Sequence, residues 1–467
     1  MWKITLAKYV LGLHIRFLSL FKREHYLKTS AIFRDMNIAN KMSWAPKWLA
    51  AITVAVLPSF GWAQTTLLHC GRMIDGKGME RKEVTIAIDG KKIVKIDAGY
   101  SAGAAGQQVI DLKNQTVMPG WIDCHVHVET QYSSKSYEER YQLNPADVAY
   151  RAEKYAQTLL KSGFTTVRDL GGSGVNVALR NAINQGRVVG PNIITAGKAI
   201  ATTGGHGDPS NGLRKDLAGH PGPEAGVANG PDECRKAVRT CIQNGSDVIK
   251  ITATGGVLSV ARDGSSAQFQ DDELAAVVAT ARDYGLRVAA HAHGAEGIKR
   301  ALRAGVNSIE HGSYIDEECI ALFKKMGAYY VPTLTAGNAV TDSAKIPGFY
   351  PDVVQVKAST IGPRIAGAFR MAHKGGVKIA FGTDAGVFEH GKNYLEFIYM
   401  TQGGMTPMEA IISATRSAAD LLGLPDKGTI EPGKDADIIA VTGNPLQDIA
   451  STKNVSFVMK GGKVIAL

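Results

Sequence analysis

The chain has 467 residues, of which 45% are apolar and 21% are charged. These values are ordinary for a globular protein and exclude an intrinsically disordered chain, and the length predicts one large barrel or two to three ordinary domains. The formal net charge is +10, but residues 1–63 contribute +7 of it. The remaining +3 is too small for a surface that binds nucleic acid, which needs clustered basic charge. We therefore expect no nucleic-acid partner.

An apolar run at residues 49–60 follows Lys41 and Lys47 and ends just before a Gly-Trp-Ala sequence. The run is too short to cross a bilayer, which takes about 20 residues, and it has the length of the apolar core of a signal peptide. We therefore expect export to the periplasm, cleavage after Ala63, a mature chain that starts at Gln64, and no membrane span in that mature form. The alternative is an apolar helix buried in the fold.

The apolar run lies unusually far from Met1, because a signal peptide is normally N-terminal. We therefore expect that translation begins at Met36 or Met42. Residues 1–63 are then an N-terminal extension and signal peptide. No cysteine follows Ala63 directly, which argues against a lipid anchor.

The five cysteines are an odd number, so they cannot all pair within one chain. Cys234 and Cys241 lie in a helical stretch, where their spacing separates the Cα atoms by about 10 Å, beyond the reach of a disulfide. We predict no structural disulfide framework. None of the spacings is that of a zinc knuckle.

Both ends of the expected mature chain alternate short β-rich runs with turns at Gly and Asp. Residues 65–117 contain EVTIAIDGKKIVKIDAG, and residues 428–467 contain NVSFVMKGGKVIAL. The first stretch predicts a small antiparallel sheet, and the similar pattern of the second predicts that the two ends pair. We expect one small β-sandwich domain, formed by residues 64–117 and 425–467.

The middle of the chain, residues 118–424, alternates short apolar strands with amphipathic helical patterns, which is typical of βα units around a parallel sheet. Helical patterns at residues 271–285 and 296–305 each end at Gly, as expected for a helix C-cap. Eight strands alternating with helices over about 300 residues fit an α/β fold of the (β/α)8 TIM-barrel type. The predicted strands cover residues 121–128, 164–170, 192–197, 247–254, 287–294, 308–313, 329–335 and 378–384.

Candidate metal ligands lie at the ends of these strands, where barrel enzymes carry their chemistry. His125 and His127 are two residues apart on the first strand, so both side chains face the barrel mouth. A lone histidine on a strand is more often structural, but four histidines and one aspartate at strand ends match the ligands that Zn²⁺ prefers. The candidates are His125, His127, Lys250, His291, His311 and Asp384.

A series of short motifs covers nearly the whole chain after the signal segment. They are PGWIDCHVHV, GFTTVRDLGG, TTGGHGD, DVIKITATGG, AAHAHG, IEHGS, FGTDAG and GTIEPGKDADIIA. This series resembles the amidohydrolase superfamily, in the branch of the Xaa-Pro dipeptidases, or prolidases, with the imidazolonepropionases as related enzymes. The resemblance implies a metal-dependent hydrolase with a small peptide-like substrate, and relatives of this kind commonly form homo-oligomers.

The resemblance also implies two divalent metal ions, expected to be zinc, and a carboxylated Lys250. An ammonium cannot bind a cation, whereas a lysine that has captured CO₂ as a carbamate is an anion with two oxygens. The alternative is a lysine paired with a neighbouring carboxylate. A hydroxide that bridges the two metals would attack the substrate. One metal would be bound by His125, His127, Lys250 and Asp384, and the other by Lys250, His291 and His311.

Four residues receive further roles. Asp384 is expected to act as general base and then general acid, taking a proton from the attacking water and passing it to the leaving amine. His293 faces inward with His291; the family spacing to the strand-six histidine assigns the metal to His291, and we expect His293 to donate to the oxyanion. His206 and His390 lie on loops at the barrel mouth, where we expect them to contact substrate.

Arg168 and Asp169, at the end of the second strand, are expected to form a structural ion pair beneath the site. The Gly-rich stretch after this strand lacks the GK[ST] and GxGxxG patterns, so we expect no nucleotide site. No serine or cysteine has a recognisable nucleophile motif.

The expected reaction is hydrolysis of an amide bond in a dipeptide or an N-acyl amino acid, of the Xaa-Pro or Xaa-Arg/Lys type. One alternative is a cyclic amide hydrolase of the imidazolonepropionase type, which generally uses one metal and no carboxylated lysine. The second is a noncatalytic scaffold, which would tend to have lost metal ligands. Lys250 and the signal segment favour peptide cleavage over the first alternative, and the complete ligand set argues against the second.

Overall fold

The computed structural model describes residues 65–104, 106–261 and 264–467. The predicted signal segment, its cleavage site after Ala63 and the expected translation starts lie outside these residues. The described residues contain sixteen strands and thirteen α-helices.

The strands are β1 (Thr66–Ile74), β2 (Glu80–Asp89), β3 (Lys92–Ala98), β4 (Gln108–Pro119), β5 (Trp121–Val126), β6 (Phe164–Asp169), β7 (Asn192–Thr195), β8 (Ala199–Ile200), β9 (Ile249–Thr252), β10 (Val288–Ala292), β11 (Ser308–His311), β12 (Tyr329–Val331), β13 (Lys378–Ile379), β14 (Ile438–Thr442), β15 (Val455–Lys460) and β16 (Lys463–Ile465). The helices are α1 (Ser136–Gln142), α2 (Pro145–Lys161), α3 (Val175–Asn184), α4 (Lys215–Ala218), α5 (Gly230–Gln243), α6 (Asp271–Asp283), α7 (Ala295–Ala304), α8 (Glu317–Met326), α9 (Leu334–Ser343), α10 (Asp352–Lys374), α11 (Leu395–Gln402), α12 (Pro407–Ser413) and α13 (Arg416–Leu422).

The two ends of the described chain share one seven-stranded sheet, with the order β16, β15, β14, β4, β1, β2 and β3. Strand β14 pairs antiparallel with β4, where Ile439 lies opposite Met118. The prediction of a small antiparallel sheet at residues 65–117 is wrong for one pair of strands, because β1 pairs parallel with β4, whereas β1 with β2 and β2 with β3 are antiparallel. The hairpin of β2 and β3 extends one edge of β1, and the chain then returns to pair β4 with the other edge in the same direction.

The middle of the chain contributes the parallel strands. Strands β5, β6 and β7 form one sheet, and β8 to β13 form a second sheet in the order β13, β12, β11, β10, β9 and β8. A strand lies within each of the eight predicted segments, and each strand is shorter than predicted. The seventh segment ends as helix rather than strand, because β12 stops at Val331 and α9 begins at Leu334. Strand β8 lies outside the predicted segments.

Backbone hydrogen bonds link the two parallel sheets at both sides. On one side, the Cys124 amide donates to the Phe381 carbonyl at 2.9 Å. On the other side, the Asp247 amide donates to the Thr195 carbonyl at 2.7 Å. The C-terminal ends of the parallel strands therefore face a common rim.

The predicted helices at residues 271–285 and 296–305 are α6 and α7. A capping box that involves Glu273 begins α6, and Gly305, with a φ of 97°, ends α7 in the left-handed conformation that glycine adopts readily. Buried Ile298 and Leu302 lie four residues apart and give α7 an apolar face.

Aromatic packing joins the first and last parallel strands. The ring of Trp121 lies 5.6 Å from that of Phe164 and 4.9 Å from that of Phe397. Phe397 in turn lies 4.4 Å from Phe381, and all four side chains are buried. These rings come from β5, β6, α11 and the segment after β13, so they support the backbone beneath the rim.

The cysteines are buried free thiols, in agreement with the prediction of no disulfide framework. Burial raises the pKa of Cys70 to about 12, so this thiol is protonated at neutral pH. Among the described residues, no helix combines the length and the apolar character needed to cross a membrane.

Candidate metal centre

Three side chains at the rim converge on one point: His125 in β5, His127 just after it, and Asp384 after β13. The Nε2 atoms of His125 and His127 lie 3.5 Å and 3.2 Å from Oδ1 of Asp384. The three residues offer ligand atoms that all lie within 4.8 Å of one another. This carboxylate oxygen is buried and accepts no hydrogen bond. The arrangement fits a divalent cation, which would supply the positive partner that this carboxylate oxygen lacks.

Lys250 lies on β9 beside these three residues. Its Nζ is 3.5 Å from Nε2 of His125, and the residue is only 4% exposed. Burial lowers the pKa of Lys250 to about 8, because a cation is poorly solvated inside the protein. A larger fraction of this amine is therefore neutral at pH 7 than in an exposed lysine.

Three further histidines face the same centre. The ring centroids of His291 and His311 lie 4.7 Å apart, and His311 lies 5.0 Å from His125. His293 stacks on His311 with centroids 5.1 Å apart. Burial holds the pKa of both His291 and His311 well below the ordinary range. Both rings are therefore neutral at pH 7, the state in which imidazole binds metal.

The second ring nitrogen of several of these histidines is held by a protein group. Nδ1 of His127 donates to the Gly171 carbonyl at 2.8 Å, and Nδ1 of His125 donates to a carboxylate oxygen of Glu310 at 3.0 Å. Nδ1 of His311 lies 2.8 Å from a threonine hydroxyl. These contacts orient the rings and leave Nε2 available for a metal, as second-layer contacts do in known metal sites.

Arg168 pairs with Glu310 and not with Asp169, so the predicted ion pair is wrong. Adjacent residues of a strand point to opposite faces, and the inward Arg168 side chain meets a residue from β11 across the interior. Its guanidinium donates to Oε1 of Glu310 at 2.9 Å, and both side chains are buried. Burial alone would raise the pKa of Glu310, but the charge of Arg168, the hydrogen bond to His125 and the charge of Lys250 together outweigh it and hold the pKa at about 2. Glu310 is therefore an anion that connects Arg168 to His125.

Two other buried carboxylates fix the backbone at the rim. Asp169 accepts from the Val128 amide at 2.8 Å and from the side chain of Asn176 at 2.7 Å. Asp123 accepts from the Thr383 hydroxyl at 2.7 Å. Val128 and Thr383 each adjoin a candidate ligand in sequence, and Asp123 also accepts from the His125 amide at 3.0 Å. Both carboxylates therefore position candidate ligands through the backbone.

Sequence reasoning missed Glu310, Asp123 and Thr333, the last of which supplies the hydroxyl beside His311. For the two acids a signal was present, because a carboxylate inside an apolar strand is costly to bury unless it has partners. The motifs WIDCH and SIEH each contain such an acid next to or near a histidine. For Thr333 the sequence contains no comparable signal.

Backbone strain is concentrated at this rim. Three non-glycine residues there have positive φ angles: His311 at 71°, Thr333 at 54° and Asp384 at 61°. Such conformations cost on the order of 1–3 kcal/mol each and persist only where the surrounding structure fixes them. The fold therefore imposes the orientation of two candidate ligands and of the hydroxyl that holds one of them.

The candidate ligands line a cavity of about 500 Å³. His293 and His206, two of the predicted substrate contacts, also line it, and the His206 ring stacks on that of His291 with centroids 4.4 Å apart. His390, the third predicted contact, does not belong to the lining; its ring stacks on Tyr155 at 4.4 Å. The structure thus places two of the three histidines at a cavity of substrate size.

Similarity to known proteins identifies the class of protein. Residues 116–465 match the amidohydrolase family. The chain belongs to this family, as its motifs predicted, and is a hydrolytic enzyme. All six predicted ligands line one cavity, whereas a noncatalytic scaffold would tend to have lost some of them.

Three individual relatives indicate the kind of reaction. Ochratoxinase from Aspergillus niger is 35% identical over 434 residues, which are 88% of each chain. The crystal structure of a Xaa-Pro dipeptidase with methionine bound in its active site is 50% identical, with a TM-score of 0.84 over 86% of this chain and 99% of that one. Imidazolonepropionase from Ruegeria pomeroyi is 26% identical over 369 residues, 73% of this chain and 82% of the relative. Together they support hydrolysis of an amide bond.

Replacing Glu310 with glutamine should weaken metal binding. The amide keeps the size of the side chain but loses the charge that neutralises Arg168 and orients His125, so we expect metal affinity to fall about 10- to 100-fold. Zinc retained after dialysis against graded chelator concentrations measures the change. Glu317→Gln, at an exposed position in the first turn of α8, is the matched control and should retain zinc like the wild type. Equal retention by both variants would contradict the role of Glu310.

Proposed function

We propose that this enzyme hydrolyses the amide bond of dipeptides or N-acyl amino acids, of the Xaa-Pro or Xaa-Arg/Lys type, at a centre with two metal ions. The observation that carries the proposal is the convergence of His125, His127 and Asp384 on one point, with Lys250 beside them. The likeness to a Xaa-Pro dipeptidase and to an ochratoxinase supports it. The methionine in the active site of the dipeptidase supports an amino acid as one product.

The proposed metals are two divalent ions, with zinc as the expected element. When bound, they would supply a water activated at neutral pH and would polarise the carbonyl of the substrate. The lowered pKa values of His125, His291 and His311 support this assignment, because these rings are neutral at pH 7 and a protonated ring cannot bind a metal. One ion would be held by His125, His127, Lys250 and Asp384, and the other by Lys250, His291 and His311.

Lys250 is proposed to act as a carbamate. Its neutral amine attacks the carbon of CO₂, so that an N–C bond forms while one C=O π bond opens onto oxygen, and one proton leaves the nitrogen for water. The product is an anion with two oxygens, each able to bind one ion. The burial that lowers the pKa of Lys250 to about 8 supports this step, because the fraction of neutral amine at pH 7 exceeds that of an exposed lysine.

Asp384 and His293 are the proposed proton donors and acceptors. Burial alone would raise the pKa of Asp384, but the neighbouring imidazoles and Lys250 outweigh it and lower the pKa. The carboxylate is therefore ionised at neutral pH and can take the proton of the attacking water and pass it to the leaving amine. Nδ1 of His293 bonds to the Ser313 hydroxyl at 2.6 Å, which leaves Nε2 to donate to the developing oxyanion.

Cyclic amide hydrolysis of the imidazolonepropionase type is the second candidate. The 26% identity to an imidazolonepropionase supports it. Enzymes of that type generally use one metal and need no carboxylated lysine. The position of Lys250 within the ligand group therefore favours the peptide-like substrates.

A substrate panel tests the proposed reaction. The zinc-loaded protein is incubated with Xaa-Pro, Xaa-Arg and Xaa-Lys dipeptides, N-acyl amino acids and imidazolone propionate, and mass spectrometry measures the products. We expect amino acids to be released from dipeptides or N-acyl amino acids, and we expect Asp384→Asn to release none. Turnover confined to the imidazolone would favour the second candidate, and turnover of no amide would refute both.

The variant Lys250→Ala should lose its metal and its activity. We expect kcat/KM to fall by at least about a thousandfold, because both ions lose a shared ligand, and added acetate or propionate should restore part of the activity. Zinc content and initial rates are the measurements. Lys236→Ala is the control, since Lys236 pairs with Glu224 and its side chain is 61% exposed. Full zinc content and activity in Lys250→Ala would refute the proposed role of Lys250 as a ligand of both ions.

The fold proposed for this enzyme is a closed (β/α)8 barrel at residues 118–424, with a β-sandwich made from residues 64–117 and 425–467. The hydrogen bonds that link the two parallel sheets on both sides support closure. The bond from the Ile93 amide to the Lys434 carbonyl, at 2.9 Å, supports a terminal sheet that folds back on itself.

Export to the periplasm is proposed from the signal segment, and the N-terminus of the processed protein tests it. Because a signal peptidase recognises small residues before the cleaved bond, sequencing of the protein from a periplasmic fraction should start at Gln64. Ala63→Arg should block this cleavage and serves as the control. A wild-type chain that starts at Met1 would contradict export by this route.

A further inference from the structure

One wall of the cavity consists of aliphatic side chains. Ile361 and Ile365 lie on α10, Val340 lies on α9, and Val257 and Leu258 lie in the segment after β9. We refer to these five residues as the aliphatic wall. The helical members are nearly buried, with exposed fractions of 5%, 3% and 5% for Ile361, Ile365 and Val340. An apolar group of a ligand would be transferred there from water to an apolar surface, which is favourable.

Helix α10 builds the wall from one of its faces. Lys357, Ile361 and Ile365 follow one another at intervals of four residues and therefore lie on the same side of the helix. The Lys357 ammonium donates to three backbone carbonyls between residues 256 and 261, at 2.9, 2.7 and 2.7 Å. These bonds fix the segment that carries the other two aliphatic residues after β9. The wall is therefore formed by contacts within the protein.

Close packing between α9 and α10 keeps the wall rigid. A Cβ atom at Gly337 would lie 2.9 Å from Cδ1 of Ile365, and one at Gly362 would lie 3.0 Å from the Gly337 carbonyl oxygen. The absence of side chains at these two glycines lets the helices approach closely. Ile365 is thus packed closely against α9.

The wall offers no partner to a cationic side chain. Of the described residues that line the cavity, the acidic one is Asp384, which belongs to the metal centre. A substrate ammonium or guanidinium on the aliphatic wall would lose its water and gain no carboxylate from the described residues of the wall. Burial of an unpaired charge is strongly unfavourable, whereas an uncharged side chain has no such cost.

We propose that the aliphatic wall binds a large uncharged side chain of the substrate, such as that of methionine, leucine or phenylalanine, and excludes lysine and arginine side chains. This inference rests on the proposed function and selects among the substrates that the function leaves open. It favours dipeptides and N-acyl amino acids with apolar residues over those of the Xaa-Arg/Lys type. The five wall residues determine the preference, and the metal ligands do not.

Direct binding and turnover of matched ligands test this preference. Methionine and lysine have side chains of similar length that differ in charge, so N-acetyl-L-methionine is compared with Nα-acetyl-L-lysine by calorimetric titration of the zinc-loaded protein. The dipeptides Met-Pro and Lys-Pro, and Ala-Met and Ala-Lys, are compared by kcat/KM. We expect the methionine ligand to bind more tightly, and the methionine member of at least one dipeptide pair to be cleaved faster, by at least about fiftyfold.

Substitutions in the aliphatic wall test whether its residues determine the side-chain preference. Ile365→Glu should reduce the preference for methionine at least about tenfold, because the new carboxylate pairs with the lysine ammonium. Val356→Glu places the same charge on α10 at a position that is 73% exposed, and it should keep the wild-type preference. If Ile365→Glu does not fold, Ile365→Ala provides the second variant. It should weaken binding of N-acetyl-L-methionine and leave that of N-acetyl-L-alanine unchanged.

The outcomes separate this inference from the proposed function. Equal affinity for the methionine and lysine ligands, or no measurable binding of N-acetyl-L-methionine, overturns the inference even if dipeptides are cleaved. An unchanged preference in Ile365→Glu, or an equal loss of methionine and alanine binding in Ile365→Ala, also overturns it. If no amide is cleaved but methionine binding is retained with the expected preference, the proposed function fails and the assignment of the aliphatic wall stands.

Discussion

The whole rim depends on one electrostatic constraint: Oδ1 of Asp384 is buried without a hydrogen bond, and the Nε2 atoms of His125 and His127 lie 3.5 Å and 3.2 Å from it. Burial lowers the pKa of His125 to about 4, so this ring does not supply a proton at neutral pH. Asp384 also has a positive φ of 61°, which costs energy in the backbone. A divalent cation relieves the repulsion of these acceptors. The strained backbone at Asp384 is the energetic cost of directing this carboxylate toward the two imidazoles.

A buried ion pair supports this arrangement from below. Removing Arg168 and Glu310 from water is costly, and apolar residues would stabilise a fold at least as well. Their contribution lies in orientation, because Glu310 holds Nδ1 of His125 at 3.0 Å while Arg168 donates to its other oxygen at 2.9 Å. Arg168 also donates to the Cys124 carbonyl in β5. The pair therefore fixes both the ring of the ligand and the strand that carries it.

Sequence patterns predicted the parallel strands and the ligand groups, since periodicity and strand-end position are local properties. They did not predict partners across the interior. The sequence pattern pairs Arg168 with its neighbour Asp169, although adjacent strand residues face opposite sides. The partner in the structure, Glu310, lies 142 positions away along the chain. The start of α9 was missed for a similar reason. The apolar run at residues 329–335 continues the strand pattern, whereas the structure turns at Thr333 through a positive φ of 54°. Such a turn depends on tertiary contacts that no local pattern records.

Helix α9 connects the metal ligands to the aliphatic wall. At its start, the buried carboxyl group of Glu396 accepts hydrogen bonds from the first two amides of the helix at 2.8 and 2.7 Å, which satisfies donors that have no partner within the helix. Directly before it, the Thr333 hydroxyl lies 2.8 Å from Nδ1 of His311, and further along Val340 faces the cavity. A displacement of α9 would therefore move a contact of a candidate ligand together with part of the wall. Binding energy from the substrate side chain can thus help to hold His311 in place, which is how contacts remote from the reacting atoms contribute to a reaction rate.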